Sequence, residues 1–316
     1  MVLRTKFPYI PLLISIQLII VFPLSAQDLD PRAYMWAPIR TTTIVAGGAY
    51  SFGGVVTDPT LPVKNIEADV QTVSAGLAHV FKLFHCTSSV LVVVPYSWAQ
   101  VSGDVGDVRK EITRAGFSDM RVRWSLLFHG APAATLPEIK KSPRKTIFGA
   151  SISAILPTGQ FYSDKLINLG TNRYSFKPEL AVTHPFGKRW LVDVYSGIWF
   201  FTDNTSFYPG SSKRSQKPMG AFQGHLSYNI KPLFWVAFNA TFYTGGTSTI
   251  NDEINDDRQA NSRVGITVAL PVGKRNSLKF SVSRGAIVRI GQNFTTFAVG
   301  WTTSWIGKKS LQVTND

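Results

Sequence analysis

Along most of this 316-residue chain, apolar residues recur at every second position. That is the period of a strand with two unlike faces; a helix would repeat every 3.6 residues. Met120, Val122, Trp124, Leu126 and Phe128 form one apolar row, with Asp119, Arg121, Arg123 and Ser125 in the places between. Phe234, Val236, Phe238, Ala240 and Phe242 form a second, against Trp235, Ala237, Asn239, Thr241 and Tyr243. Val264, Ile266, Val268 and Leu270 stand against Asn261, Arg263, Gly265 and Thr267. Phe222, Leu226, Tyr228 and Ile230 oppose Gln223, His225, Ser227 and Asn229. Leu278, Phe280 and Val282 alternate with Lys279, Ser281 and Ser283. Phe297, Val299, Trp301 and Trp305 alternate with Thr296, Ala298, Gly300, Thr302 and Ser304.

The pattern predicts twelve strands, at 41–53, 68–83, 89–102, 117–129, 146–156, 173–184, 189–202, 219–230, 233–244, 261–271, 276–285 and 294–306. Their connections alternate in length. Residues 85–88, 185–188, 231–232 and 272–275 are short, whereas 104–116, 157–172, 203–218 and 245–260 are long and polar. Short periplasmic turns and long outer loops are the asymmetry of outer-membrane barrels. His129 to Lys145 departs from it. This proline-rich, basic stretch (Lys140, Lys141, Arg144, Lys145) falls on the short-turn side, as an extended turn or an unrecognised hairpin.

A soluble β-sandwich or a lipocalin-like barrel would hide its apolar face inside. Here that face carries large aromatics in almost every strand, while Gly, Ser, Thr and Ala crowd the other. This favours apolar side chains turned to lipid. Placing Arg121 and Arg123 toward lipid would cost about 2–4 kcal/mol each at mid-depth, so the choice of face is not free. The predicted class is all-β: a transmembrane antiparallel up-and-down β-barrel of about 12 strands over residues 41–306. A bore of that size lies between eight strands, filled by side chains, and 16–18 strands, which leave an open channel.

The chain begins differently. Arg4 and Lys6 precede an apolar run, Ile10 to Phe22, and Pro23-Leu24-Ser25-Ala26 follows. That order reads as a secretory signal peptide, residues 1–26, cleaved after Ala26. Residues 27–40, with Pro31, Trp36 and Pro38, become a periplasmic N-terminal segment that could plug the barrel. Residues 307–316 form a C-terminal tail. Beyond residue 26 no run of 18 apolar residues occurs, so helical membrane spans are not expected.

Composition adds three constraints. Aromatics are 12% and charged residues 16%, which suits many half-buried strands and not a disordered exported chain. Cys86 is the sole cysteine, so neither an internal disulfide nor a cysteine metal site is available. Barrel closure is one device that can hold such an exported chain together. The formal charge is +14, to which Arg4 and Lys6 contribute. After a signal peptide, a basic surface points to anionic lipid headgroups, lipopolysaccharide or an anionic solute ahead of nucleic acid. General solubility charge is the plainer alternative.

Inward-facing candidates are Asp119, Arg121, Arg123, Lys177, Glu179, Asp193, His225, Asn239, Arg263 and Lys279. They form either a basic ladder that prefers anions or cross-strand ion pairs that hold the barrel's shape, the second being the stronger expectation. Trp199, Trp235 and Tyr243 line a greasy path or belong to the interfacial belts. His225 and Ser227 share a face, but no acidic partner is near in sequence, so lumen filler is favoured over a catalytic dyad. No catalytic, cofactor or metal site is expected. The acidic loop at Asp252, Glu253, Asp256 and Asp257 is either simply solvated or a site for calcium or divalent-bridged lipopolysaccharide.

Several motifs recur in a characteristic order: Gly116-Phe117-Ser118-Asp119, Leu156-Pro157-Thr158-Gly159, Leu169-Gly170-Thr171, Tyr243-Thr244-Gly245-Gly246, Arg263-Val264-Gly265, Pro271 and Gln292-Asn293-Phe294. The set resembles the outer-membrane transporter family named for the meta-pathway of phenol degradation, over about residues 38 to 306. The resemblance implies an outer-membrane channel or transporter for small, hydrophobic or aromatic solutes; the barrel itself is expected to be a monomer. Gly300-Trp301-Thr302-Thr303-Ser304-Trp305 resembles the signal read by the barrel assembly machinery. It departs from that signal at Thr303 and in the extension after Trp305. The competing readings are a structural or adhesive barrel and, behind it, a lipid-modifying enzyme.

Overall fold

The computed structural model describes residues 29–56 and 63–307. The expected signal peptide, residues 27–28 and the tail from 308 lie outside them. The chain opens with β1 (Thr41–Val56), β2 (Val63–Leu83), β3 (Cys86–Val105), β4 (Val108–Phe117) and β5 (Met120–Pro132). A short helix, α1 (Leu136–Lys141), precedes β6 (Ile147–Leu156), β7 (Ser175–Phe186) and β8 (Trp190–Phe201). Then come β9 (Asn204–Phe207), β10 (Ser212–Gln216), β11 (Met219–Lys231), β12 (Phe234–Gly245), β13 (Ser248–Ile250) and β14 (Glu253–Ile254). The last three are β15 (Gln259–Val272), β16 (Asn276–Ile287) and β17 (Gly291–Ile306).

Leaving out β4, β9, β10, β13 and β14, each strand pairs antiparallel with the next in sequence. β1 pairs with β17 from Thr41↔Ile306 to Val56↔Gly291, which closes a twelve-stranded barrel. Closure matters because an unpaired edge in lipid would leave backbone N–H and C=O groups without partners. The twelve strands expected from the sequence all form, with ends shifted by a few residues.

The faces are inside-out relative to a soluble fold. Ser151, Lys177, Glu179, Asp193, His225, Asn239 and Arg263 are buried. Leu180, Val194 and Phe238 are each more than half exposed, at 64%, 54% and 53%. Only a hydrocarbon surround makes that arrangement favourable.

β4 is the strand that the apolar pattern does not reveal; the sequence reads as a loop there. It folds back on the outer half of β3, from Tyr96↔Phe117 to Val105↔Val108. With the long β2 and β3 it forms a ribbon whose far end is tied by Arg109 to Glu67 (2.8 Å) and Asp104 (3.5 Å). A strand standing in water needs no lipid-facing row, so its residues are largely polar. After Ser118 and Asp119, β5 takes over the same position beside β3. The long loops after β8 and β12 likewise contain strands. β9, β10, β13 and β14 make a small separate sheet beyond the barrel.

The basic stretch after β5 holds no hairpin. It contains α1, whose N-cap Thr135 and Glu138 hydrogen-bond reciprocally, with Pro137 in the first turn and Lys140 and Lys141 in the last. All short connections, the start of β1 and the end of β17 lie at one end of the barrel, which is the periplasmic end by the usual asymmetry.

Candidate functional site

The lumen is built by strand alternation. On β7, Ser175, Lys177, Glu179, Ala181 and Thr183 all point inward and are buried. Lys177 Nζ lies 2.8 Å from Glu179 Oε2. Gly197, opposite Glu179 on β8, makes room for the pair. A Cβ there would stand 3.2 Å from both Glu179 Cβ and Lys177 Cγ. Arg123 from β5 reaches Glu179 Oε1 at 3.4 Å, and Gln223 Nε2 from β11 donates to Oε2 at 3.5 Å. One carboxylate therefore joins three strands. The inward charges are paired here, as a shape-holding network and not as a bare ladder.

Residues 29–40 run inside this wall from the periplasmic end. At the rim, Arg40 N donates to Val80 O, Ile39 N to Ala134 O and Trp36 Nε1 to Pro132 O. Deeper, Ala33 N donates to Tyr195 Oη (3.2 Å) and Arg32 N to Asp193 Oδ2 (3.3 Å). The Arg32 guanidinium lies over Trp235, 4.3 Å from the ring centre. Asp30 pairs with Lys279 at 3.2 Å and with Arg123 at 3.8 Å.

Tyr34 is the centre of the segment. It is 1% exposed and packs with Leu127, Ala131, Ile147, Ala181 and Tyr195. Its hydroxyl donates to Glu179 Oε1 at 2.9 Å, and Ser151 Oγ lies 2.8 Å from the Tyr34 hydroxyl oxygen. Burial pushes this hydroxyl up to about 12, against the opposing pull of Arg123. Gly149 provides the seat. A Cβ there would fall 2.6 Å from Tyr34 Cδ1 and 3.0 Å from Leu127 Cδ2. Gly149→Ala is therefore expected to dislodge Tyr34 while leaving the wall ladders intact. Single-channel recording should show an increased or flickering conductance; traces identical to wild type would disprove this seat.

The outer half of the lumen holds a second aromatic cluster. Trp199, Ala221 and Tyr243 are buried together, with Ile155, Phe201 and Met219 against them. Trp199 and Tyr243 therefore face inward, as does Trp235 beneath Arg32, and none belongs to the lipid belt. Near the outer mouth Arg173 stacks on Phe201 at 4.5 Å. Arg263 donates to Ser283 Oγ (2.7 Å) and to Phe294 O (2.9 Å).

Other candidates have local roles. Asp193 accepts from Thr183 Oγ1 at 2.6 Å. His225 Nδ1 meets Asn239 Oδ1 at 2.9 Å, and Asn239 Nδ2 donates to Thr267 Oγ1 at 2.9 Å. His225 Nε2 and Ser227 Oγ make no hydrogen bond, so the two do not form a nucleophile–base contact. Arg121 is half-buried near the outer end of β5. Asp119 lies just before β5 and accepts from Gly159 N (3.0 Å), Thr171 N (2.8 Å) and Thr171 Oγ1 (2.6 Å), pinning an outer loop. In the acidic loop, Asp256 pairs with Arg289 at 2.6 Å and Asp257 accepts from Ser248 N at 2.7 Å. Among the described residues no three metal-ligating side chains cluster.

Sequence reasoning placed 27–40 ahead of the barrel but did not single out Asp30, Arg32 or Tyr34. A Tyr and two charges in a short segment carry no period, and their partners are 89 to 249 positions away in sequence, as for Tyr34 with Arg123 and Asp30 with Lys279.

The fold has solved counterparts. The COG4313 outer membrane channel from Pseudomonas putida F1 superposes with a TM-score of 0.75 at 20% identity, covering 88% of this chain and 100% of its own. The beta domain of the Bordetella autotransporter BrkA gives 0.52 at 10% identity, covering 84% and 100%. The transport unit of AIDA-I from Escherichia coli gives 0.52 at 9% identity, covering 89% and 93%. These likenesses are of fold: outer-membrane β-barrels. No curated protein matches the chain in sequence. A family model does, from residue 50 to residue 289, and by it the chain belongs to the family described as "Putative MetA-pathway of phenol degradation".

Proposed function

We propose that this barrel is an outer-membrane channel for passive passage of small, hydrophobic or aromatic solutes. The observation that carries the reading is a closed barrel whose lumen holds two aromatic clusters, Trp199 with Tyr243 toward the outside and Tyr34 with Tyr195 toward the periplasm, beside a network of paired charges. A ring-bearing solute finds apolar contact at both levels and hydrogen-bonding partners beside them. The structural relative from Pseudomonas putida carries the name of a channel, which agrees with this use of the fold. The reading includes insertion by the barrel assembly machinery as a monomer, and no enzymatic step. The segment 29–40 narrows the path, so ionic conductance should be low.

The test is reconstitution of the refolded mature chain in planar bilayers and in vesicles loaded with a reporter for an aromatic alcohol. Small conductance steps together with accelerated aromatic uptake are expected. Sealed bilayers and unchanged uptake, from a barrel shown to be folded by its heat-modifiable gel mobility, would reject the channel.

A further inference from the structure

The net charge of this chain is not spread over its surface. Every connection at the periplasmic end carries exposed cations. Lys82 stands beside the β2–β3 turn, and Lys188 and Arg189 occupy the β7–β8 turn. Lys231 begins the β11–β12 turn, and Lys274 and Arg275 form the β15–β16 turn. The α1 connection adds Lys140, Lys141, Arg144 and Lys145, and Arg40 stands where β1 begins. Against these eleven cations the described residues at this end place one carboxylate, Glu138. That one is held by the Thr135 backbone N–H and hydroxyl, which also keep its ionisation below the usual carboxylate range. At the outer end, acidic and basic residues occur in about equal number.

The ring sits against an apolar border. Phe84 and Leu233, at the tips of two turns, are 79% and 72% exposed. Phe186, Trp190, Trp305 and Ile306 are exposed on the wall at the same level. Exposed rings next to cations are the signature of a bilayer interface, where the rings lie at headgroup depth and the cations meet phosphate.

We infer that the periplasmic rim is a binding ring for the phosphate headgroups of anionic phospholipids in the periplasmic leaflet. The distribution selects this partner. A soluble protein would dock on one sector, whereas cations here occupy the whole circumference, as an annulus of lipid does. Lipopolysaccharide phosphates would meet the opposite end, where the charges balance. The inference rests on the orientation of the barrel and stands independently of what passes through it.

The experiment is native mass spectrometry of the refolded mature chain released from mixed micelles containing equal phosphatidylglycerol and phosphatidylcholine. Phosphatidylglycerol should be retained roughly fivefold over phosphatidylcholine, and the preference should shrink as salt rises. Changing Lys140, Lys141, Lys145, Lys188, Lys231 and Lys274 together to glutamine should bring the ratio near unity. These side chains are exposed, so gel mobility of the folded form and channel conductance should not change. Equal retention of the two lipids by wild type would overturn the proposal. So would a preference that survives the six substitutions, or displacement of phosphatidylglycerol by stoichiometric lipopolysaccharide.

Discussion

Replacing Glu179 with alanine is expected to destabilise the barrel by about 3–5 kcal/mol, the cost of removing one partner from a buried ion pair. The side chains of Lys177 and Glu179 are 3% and 2% exposed, so neither is relieved by water in the folded state. Loss of the carboxylate leaves Lys177 without its 2.8 Å partner and Arg123 without its 3.4 Å contact. It also removes the acceptor of the Tyr34 hydroxyl. The check is the temperature at which the compact gel band converts to the unfolded one. An unchanged midpoint would show that water reaches these cations and that the pair is not structural. A second variant separates charge from packing. Glu179→Leu combined with Lys177→Met and Arg123→Met should recover much of the loss, because a well-packed apolar set avoids the cost of unpaired charge.

Removing residues 27–36 is expected to raise single-channel conductance several-fold. The deletion takes Tyr34 and Trp36 out of the periplasmic half of the lumen, along with the Asp30–Lys279 contact and the Arg32–Trp235 stack. The barrel should still fold. Its ladders close through β1 and β17 without help from the segment, and the side-chain hydrogen bonds lost contribute only about 1 kcal/mol each. A twelve-stranded wall freed of its strap is wide enough for water to cross yet narrower than an open porin. Conductance equal to that of the intact chain would mean that 29–40 does not limit the path. The Gly149→Ala variant should lie between the two, since it unseats Tyr34 but leaves the segment attached.

Twelve strands, their faces and the closing of the barrel were legible because lipid imposes a strict period. Phe238 must face out and Asn239 must face in, and a slip of one residue would exchange them. β4 was not legible for the same reason reversed. It stands in water, where no period is required. Asp119 shows the limit at the level of single residues. It keeps the alternation of β5, but at the end of a strand the backbone turns, and its carboxylate closes a loop.

The lumen follows the same division. That Lys177, Glu179, Arg123 and Arg263 point inward is written in their positions along the strands. Their partners are not, because pairing depends on which strands lie side by side and how far each is staggered. Only the tertiary structure brings Arg123 of β5 and Gln223 of β11 to Glu179 of β7. The strap is the clearest case. Residues 29–40 have no periodicity, and their place is decided by a seat at Gly149 and by charges supplied from distant strands. By itself the sequence determined what each position could tolerate, lipid or lumen, since that follows from a local period and the cost of burying charge. Which groups meet, and what enters the bore, came from barrel closure, which brings into contact residues that no local pattern relates.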